Sequence, residues 1–264
     1  MERTANSGEL RNRDTSTISR NGRAVLILLR SILFNVLFYL NLFIYFIIAT
    51  PAFFLSYRAV VAFAKAWGRT NLWLLRLVCG INVEWIGLEK IPAGPLIVAA
   101  KHQSTWETFG LFTLFADPTF IVKRELMWIP WFGWYLWKAR MIPVDRGAGT
   151  QALVAMTEQA RIELKGNRQL VIFPEGTRRA VGAEPAYKFG VAHLYAEIGV
   201  PCLPVALNSG LVWPRRKFLR NPGKVRVEIL DPIPPGLERG EFFQRLKNDI
   251  EEATARLVAA GIKN

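Results

Sequence analysis

The chain begins polar, turns apolar over one long run, and then alternates short β-rich segments with helical stretches. Residues 1–23, MERTANSGELRNRDTSTISRNGR, show no apolar periodicity and predict a mobile basic tail. Residues 31–49, SILFNVLFYLNLFIYFIIA, carry no charge over 19 positions. A helix needs roughly 20 such residues to cross a bilayer core, whereas a signal peptide uses an apolar core of about 7 to 15. No small-x-small cleavage pattern follows, so the segment is expected to be retained. Pro51 breaks the run, and residues 53–80 resume as an amphipathic helix with Arg58, Lys65, Arg69 and Arg76 among apolar residues. Basic residues flank the apolar run on both sides, so charge does not choose an orientation. A hairpin dipping into one leaflet puts both flanks in the cytoplasm, and Asn35 and Asn41 suit it better than a lipid-exposed crossing helix, because a lone amide in hydrocarbon is costly.

From about residue 82 the segments NVEWIG, LIVAA, TFIVK, MIPV, QLVIFP, CLPVAL and KVRVEIL predict strands. Helical patterns fall at about 104–115, 125–139, 150–165, 188–198 and 241–260. This alternation predicts an α/β fold, a mostly parallel sheet flanked by helices, with an N-terminal membrane-embedded two-helix segment. The expected division is a tail at 1–23, anchoring helices at 24–80 and one globular domain at 81–264.

Composition sharpens this picture. A net charge of +13 beside 51% hydrophobic residues points to an anionic surface as partner, and the apolar run favours a membrane leaflet over nucleic acid. Two cysteines, Cys79 and Cys202, are too few for a disulfide framework and fit a domain facing a reducing cytoplasm.

Two short segments carry candidate chemistry. HQSTWE at 102–107 follows the apolar run LIVAA, where a strand ends and a polar loop begins. His102 and Glu107 are five apart, about 140° on a continuous helix, so they meet only if His102 is in the loop and Glu107 in the first helical turn. A carboxylate beside the imidazole orients the ring and stabilises its protonated form, which suits a general base. Ser104 and Glu107 also spell a capping box, so Glu107 has a purely structural alternative. In FPEGTR at 173–178, Gly176 lets backbone amides approach an anion and Arg178 offers a fork matched to phosphate oxygens. The plain alternative is a solvated turn with a surface ion pair from Glu175.

Taken in order, KHQSTWE, VKRELMWIPWFGW at 122–134, MIPVDRG at 141–147, VIFPEGTR and GVPCLPVAL at 199–207 resemble the glycerolipid acyltransferase family, in particular its bacterial members acting on 1-acylglycerol 3-phosphate. The likeness spans about residues 82–232. It implies transfer of a fatty acyl group from acyl carrier protein or coenzyme A to the free hydroxyl of a lysophospholipid, giving phosphatidic acid. No metal, further cofactor or covalent enzyme intermediate is implied. By position, His102 is the base, Glu107 its partner, Glu175 and Gly176 shape the acceptor site, Arg178 binds phosphate, and Lys123 and Arg146 are further phosphate ligands. Glu107 stands where the family has aspartate, so contact with His102 calls for a slightly different helix start. The implied location is a bacterial inner membrane with the catalytic domain facing the cytoplasm.

Trp128, Trp131, Trp134 and Trp137 recur every third residue around Pro130 and Gly133, which interrupt a regular helix. They either pack in the core or serve the bilayer interface or an acyl chain, and the second is favoured. WPRRKFLR at 213–220 fits anionic headgroups, a solvated face or nucleic acid. Three classes stay open: an acyltransferase on lysophosphatidic acid, one on another lyso-lipid such as lyso-ornithine lipid, and a non-enzymatic binder. The His102 and acid pair speaks against the last.

Overall fold

The computed structural model describes residues 5–145, 147 and 149–262. Seven strands form one sheet: β1 (Ile81–Ile86), β2 (Leu96–Ala100), β3 (Pro118–Lys123), β4 (Ile142–Val144), β5 (Gln169–Ile172), β6 (Cys202–Leu207) and β7 (Gly223–Ile229). Their order is β1-β7-β6-β2-β5-β3-β4. Every neighbouring pair is parallel except β6 with β7. The loop joining β6 to β7 contains no α-helix, so the chain turns back antiparallel without a helical crossover.

Helices cover both faces. On one side lie α1 (Ala5–Ile48), α2 (Tyr57–Cys79) and α3 (Trp106–Leu114); on the other lie α5 (Gly149–Lys165), α6 (Gly190–Ile198) and α7 (Arg239–Ile262). Strand alternation divides the core accordingly. In β2, Leu96, Val98 and Ala100 face the first set while Ile97 and Ala99 face the second, and all are buried. A central parallel strand buried on both faces has no polar position to spare, which is why LIVAA is uninterrupted.

The expected helix at 125–139 is divided. A 3₁₀ turn covers Arg124–Trp128 and the helix α4 covers Phe132–Lys138. Pro130 supplies no amide, and Trp131 takes a left-handed φ of 61°. Gly133 is required there, because a Cβ would lie 2.1 Å from the Met127 carbonyl oxygen.

The apolar run forms the second half of α1. Residues Asn21–Ile48 are long and apolar enough to cross a membrane. The backbone of Ala5–Arg23, expected as a tail, continues this helix toward the N-terminus, since extending a formed helix avoids the cost of a new nucleus. Along its length α1 is held against the globular domain. Arg220 donates from its backbone amide to Ser31 Oγ at 2.9 Å and from Nη2 to Asn35 Oδ1 at 3.0 Å. Phe38 meets Phe109 and Trp213, and Tyr135 on α4 stacks on Phe46 and donates to its carbonyl at 2.6 Å. These contacts span about 22 Å of helix axis from Ser31 to Phe46. On the opposite side Leu29, Leu33, Val36, Leu40, Phe43 and Ile47 are exposed.

Candidate active site

The parallel strands β2, β3, β4, β5 and β6 end on one edge, and the loops that follow them carry the polar residues singled out in the sequence. Ligands of open α/β sheets bind at such carboxyl edges, because the loops there can present side chains without disturbing the core. His102 stands two residues beyond β2, with its ring stacked on Phe173 at 3.9 Å between centroids. Nδ1 is buried and lies 3.4 Å from Glu107 Oε2 without completing a hydrogen bond. The loop-then-helix placement is the one that brings both side chains to the same spot: α3 begins at Trp106 and Glu107 is in its first turn.

Glu107 is fully buried, and its carboxylate closes the helix start as well as facing the histidine. It accepts from the Ser104 amide at 2.9 and 3.1 Å and from the Gln103 amide at 3.3 Å. Ser209 Oγ, just beyond β6, also donates to Oε1. The acid half of a capping box is thus present at the Ser104 amide, while the serine half is altered: Ser104 Oγ accepts from the Trp106 amide at 3.2 Å and Thr105 takes the N-cap position. Capping and contact with His102 therefore coexist in one side chain.

Glu175 lies behind His102 rather than at an open acceptor site. Its Oε2 accepts from the His102 amide at 3.1 Å and its Oε1 from Lys101 Nζ at 3.0 Å. Lys101 is itself buried and reaches Glu251 Oε1 at 2.6 Å, where Tyr187 also donates at 2.8 Å. Burial pushes the Glu175 carboxyl above the usual carboxylate range, against the pull of Lys101 and the His102 amide. The two loops are tied once more by the Arg179 amide, which donates to the His102 carbonyl at 2.7 Å.

Gly176 has φ 66°, a conformation that favours glycine, and its amide donates to the Phe173 carbonyl at 2.9 Å. Arg178 is half-buried and donates from Nη1 to Thr105 Oγ1, which brings its guanidinium beside the His102 loop. Lys123 ends β3 on the same edge, exposed and paired with Glu125 at 2.7 Å. Arg146 lies outside the described residues. The structure thus brings together His102, Glu107, Glu175, Gly176 and Arg178, and leaves Lys123 at the rim.

Sequence reasoning missed Lys101, Ser209, Tyr187 and Glu251. Lys101 had a signal, since a lysine directly after a fully buried strand needs an acid partner. Glu251 had none, because the facing of α7 toward the site follows from tertiary packing alone.

A buried carboxylate beside a histidine, on a strand-end loop with an arginine nearby, defines a site suited to proton abstraction next to an anion. The acyltransferase family model matches residues 82–208, which contain that whole constellation. The chain is 38% identical over 209 residues to 1-acyl-sn-glycerol-3-phosphate acyltransferase of Pseudomonas aeruginosa, covering 76% of this chain and 79% of that protein. It is 32% identical over 174 residues to the alpha form of 1-acyl-sn-glycerol-3-phosphate acyltransferase of Mus musculus, covering 62% of this chain and 61% of that protein. The crystal structure of the 1-acyl-sn-glycerophosphate (LPA) acyltransferase PlsC from Thermotoga maritima matches with a TM-score of 0.72 at 25% identity, over 87% of this chain and 96% of that one. The chain belongs to the acyltransferase family and is an enzyme of acyl transfer in lipid synthesis.

Proposed function

We propose that the chain transfers a fatty acyl group from an acyl thioester, on acyl carrier protein or coenzyme A, to the free hydroxyl of 1-acylglycerol 3-phosphate, giving phosphatidic acid. The observation that carries this reading is the buried Glu107 carboxylate 3.4 Å from His102 Nδ1, which leaves Nε2 on the far side of the ring for the acceptor. Nε2 takes the hydroxyl proton as the oxygen bonds to the thioester carbonyl carbon. Glu107 stabilises the imidazolium that forms. Collapse of the tetrahedral intermediate breaks the carbon–sulfur bond, and the imidazolium returns its proton to the departing thiolate. Products are an ester and a thiol, with no covalent enzyme species.

Arg178 is assigned the acceptor phosphate, because its guanidinium lies beside the His102 loop and matches phosphate oxygens with two parallel N–H donors. Lys123 at the rim is assigned a supporting role, as is Arg146, which lies outside the described residues. A lyso-ornithine acceptor has no phosphate to occupy Arg178. Purified protein given labelled acyl carrier protein or acyl-coenzyme A and a panel of lyso-acceptors is expected to acylate 1-acylglycerol 3-phosphate fastest. Faster turnover of lyso-ornithine lipid would replace this reading with its alternative.

The membrane attachment proposed is a hairpin of α1 and α2 in the cytoplasmic leaflet of a bacterial inner membrane. A helix held against the catalytic domain over about 22 Å cannot also stand across a bilayer with that domain on one side. Its opposite face, exposed and apolar from Leu29 to Ile47, supplies the lipid contact.

A further inference from the structure

Four tryptophans stand exposed on one part of the surface: Trp128 by 68%, Trp131 by 54%, Trp134 by 55% and Trp137 by 69%. Phe54 at 89% and Leu55 at 58% project from the turn between α1 and α2. A soluble surface seldom leaves so much aromatic area in water. Packing in the core, one of the two sequence readings, is therefore excluded for these side chains.

The two groups are joined. Phe53 meets the Tyr135 ring edge-on at 4.7 Å, and a cavity of about 430 Å³ is lined by Phe53, Met127, Gly133, Trp134 and Trp137. Tyr135 in turn stacks on Phe46 of α1 at 5.1 Å. Beside it Ile47 and Ile48 are exposed and lead on to Phe54, so the aromatic surface adjoins the C-terminal end of the exposed apolar face of α1. It is also built rigidly. Trp131 holds a left-handed backbone that costs on the order of 1 to 3 kcal/mol, and Gly133 packs where no Cβ fits.

We propose that Phe54, Leu55, Trp128, Trp131, Trp134 and Trp137 form a second bilayer contact, which runs along the flank of the sheet from the carboxyl edge at Trp128 to the turn between α1 and α2. This inference rests on the membrane hairpin described above and extends it to the catalytic domain. A bilayer is favoured over a protein partner for three reasons. The surface runs on from a face already assigned to lipid. Tryptophan belongs at the membrane interface, where the ring is in hydrocarbon and the N–H stays wet. The far end of the same helix, at Ser31 and Asn35, meets Arg220, whose loop exposes Arg216, Lys217, Phe218 and Leu219, a mixture suited to anionic headgroups. The aromatic segment starts at the carboxyl end of β3, on the catalytic edge near Trp128, and crosses to the amino end of β4, since the two strands are parallel. Seating its Trp128 end in the interface keeps the catalytic edge within reach of a lyso-lipid whose chain remains in the leaflet.

The test uses the full chain on phosphatidylcholine–phosphatidylglycerol vesicles carrying bromine near the headgroup end of the acyl chains. Wild-type tryptophan emission is expected to be strongly quenched. Replacing Trp128, Trp131, Trp134 and Trp137 with glutamine removes four of nine tryptophans and is expected to abolish the larger part of that quenching. The same variant should lose about tenfold in kcat/KM on a long-chain acceptor embedded in vesicles and keep its rate on a monomeric short-chain acceptor. Trp137→Gln alone, at an exposed site, gives a smaller loss of the same kind if the fourfold variant fails to fold. Unchanged quenching overturns the proposal, as do equal losses on both acceptors. Unchanged quenching with a shift from dimer to monomer in sedimentation assigns the surface to a second copy instead. A wild-type protein that acylates neither acceptor refutes the enzymatic reading, while the quenching result still decides this one.

Discussion

The two edges of the sheet treat buried charge in opposite ways. At the amino edge Arg168, only 1% exposed, uses all five of its N–H donors. Asp117 Oδ1 accepts from Nε at 3.1 Å, Glu163 Oε2 and the Arg140 carbonyl from Nη1 at 2.7 and 3.4 Å, and the Pro118 and Ala139 carbonyls from Nη2 at 2.8 and 3.2 Å. The Tyr57 ring lies 4.8 Å from the guanidinium carbon. At the carboxyl edge His102 Nδ1 is buried with a carboxylate at 3.4 Å and no hydrogen bond completed. A saturated network fixes architecture, since nothing is left over for a ligand. An unsaturated one leaves binding capacity that substrate can use, and catalytic hydrogen bonds commonly tighten only when it arrives.

That contrast predicts different kinds of damage. His102→Ala is expected to cost about 10² to 10⁴ in kcat while leaving the melting temperature and vesicle binding unchanged. Steady-state rates beside a thermal melt check this, and turnover above about a tenth of wild type in a folded variant would remove His102 from the mechanism. Arg168→Met should do the reverse. Leaving Asp117 and Glu163 without their partner costs about 3 to 5 kcal/mol of stability, read by denaturant unfolding, with kcat of the remaining folded enzyme little changed. A smaller and more selective effect is expected from Arg178→Lys. Loss of one charge-assisted hydrogen bond, about 1.5 to 3 kcal/mol, lowers kcat/KM for the phosphate acceptor roughly 10- to 150-fold and leaves the acyl-donor KM nearly unchanged. Equal losses on an acceptor lacking phosphate would make Arg178 structural and move the clamp to Lys123 and Arg146.

The comparison also marks what could be read from the chain. All seven strands were legible: those buried on both faces appear as unbroken apolar runs such as LIVAA and CLPVAL, while β7 shows the alternation of a half-buried strand in KVRVEIL. The site histidine was legible because it follows one of those runs. The role of Glu175 was not: FPEGTR shows a carboxylate in a loop, and only the folded arrangement turns it inward to Lys101 and the His102 amide. Nor does the sequence tell that α1 lies along the domain. Both of its faces are apolar, one against protein and one exposed, so no 3.6-residue contrast separates them, and the inner side is marked by a few polar groups, Ser31 and Asn35 paired with Arg220 and Tyr45 paired with Thr70.

Glu107 joins the two modes, since it caps α3 as a structural residue does and faces His102 as a catalytic partner does. The central claim is that its charge beside Nδ1 makes Nε2 a base, and Glu107→Gln tests it most directly. The amide oxygen can keep the bonds from the Ser104 and Gln103 amides and from Ser209, while its NH₂ turns toward Nδ1. An N–H donor there selects the tautomer with the proton on Nε2, which cannot accept one from the acceptor hydroxyl. Turnover measured beside the melting temperature is predicted to fall at least as far as about 10²-fold with stability retained. Full turnover in Glu107→Gln, together with a loss of stability confined to Glu107→Ala, would show that the carboxylate only closes a helix and would contradict the account.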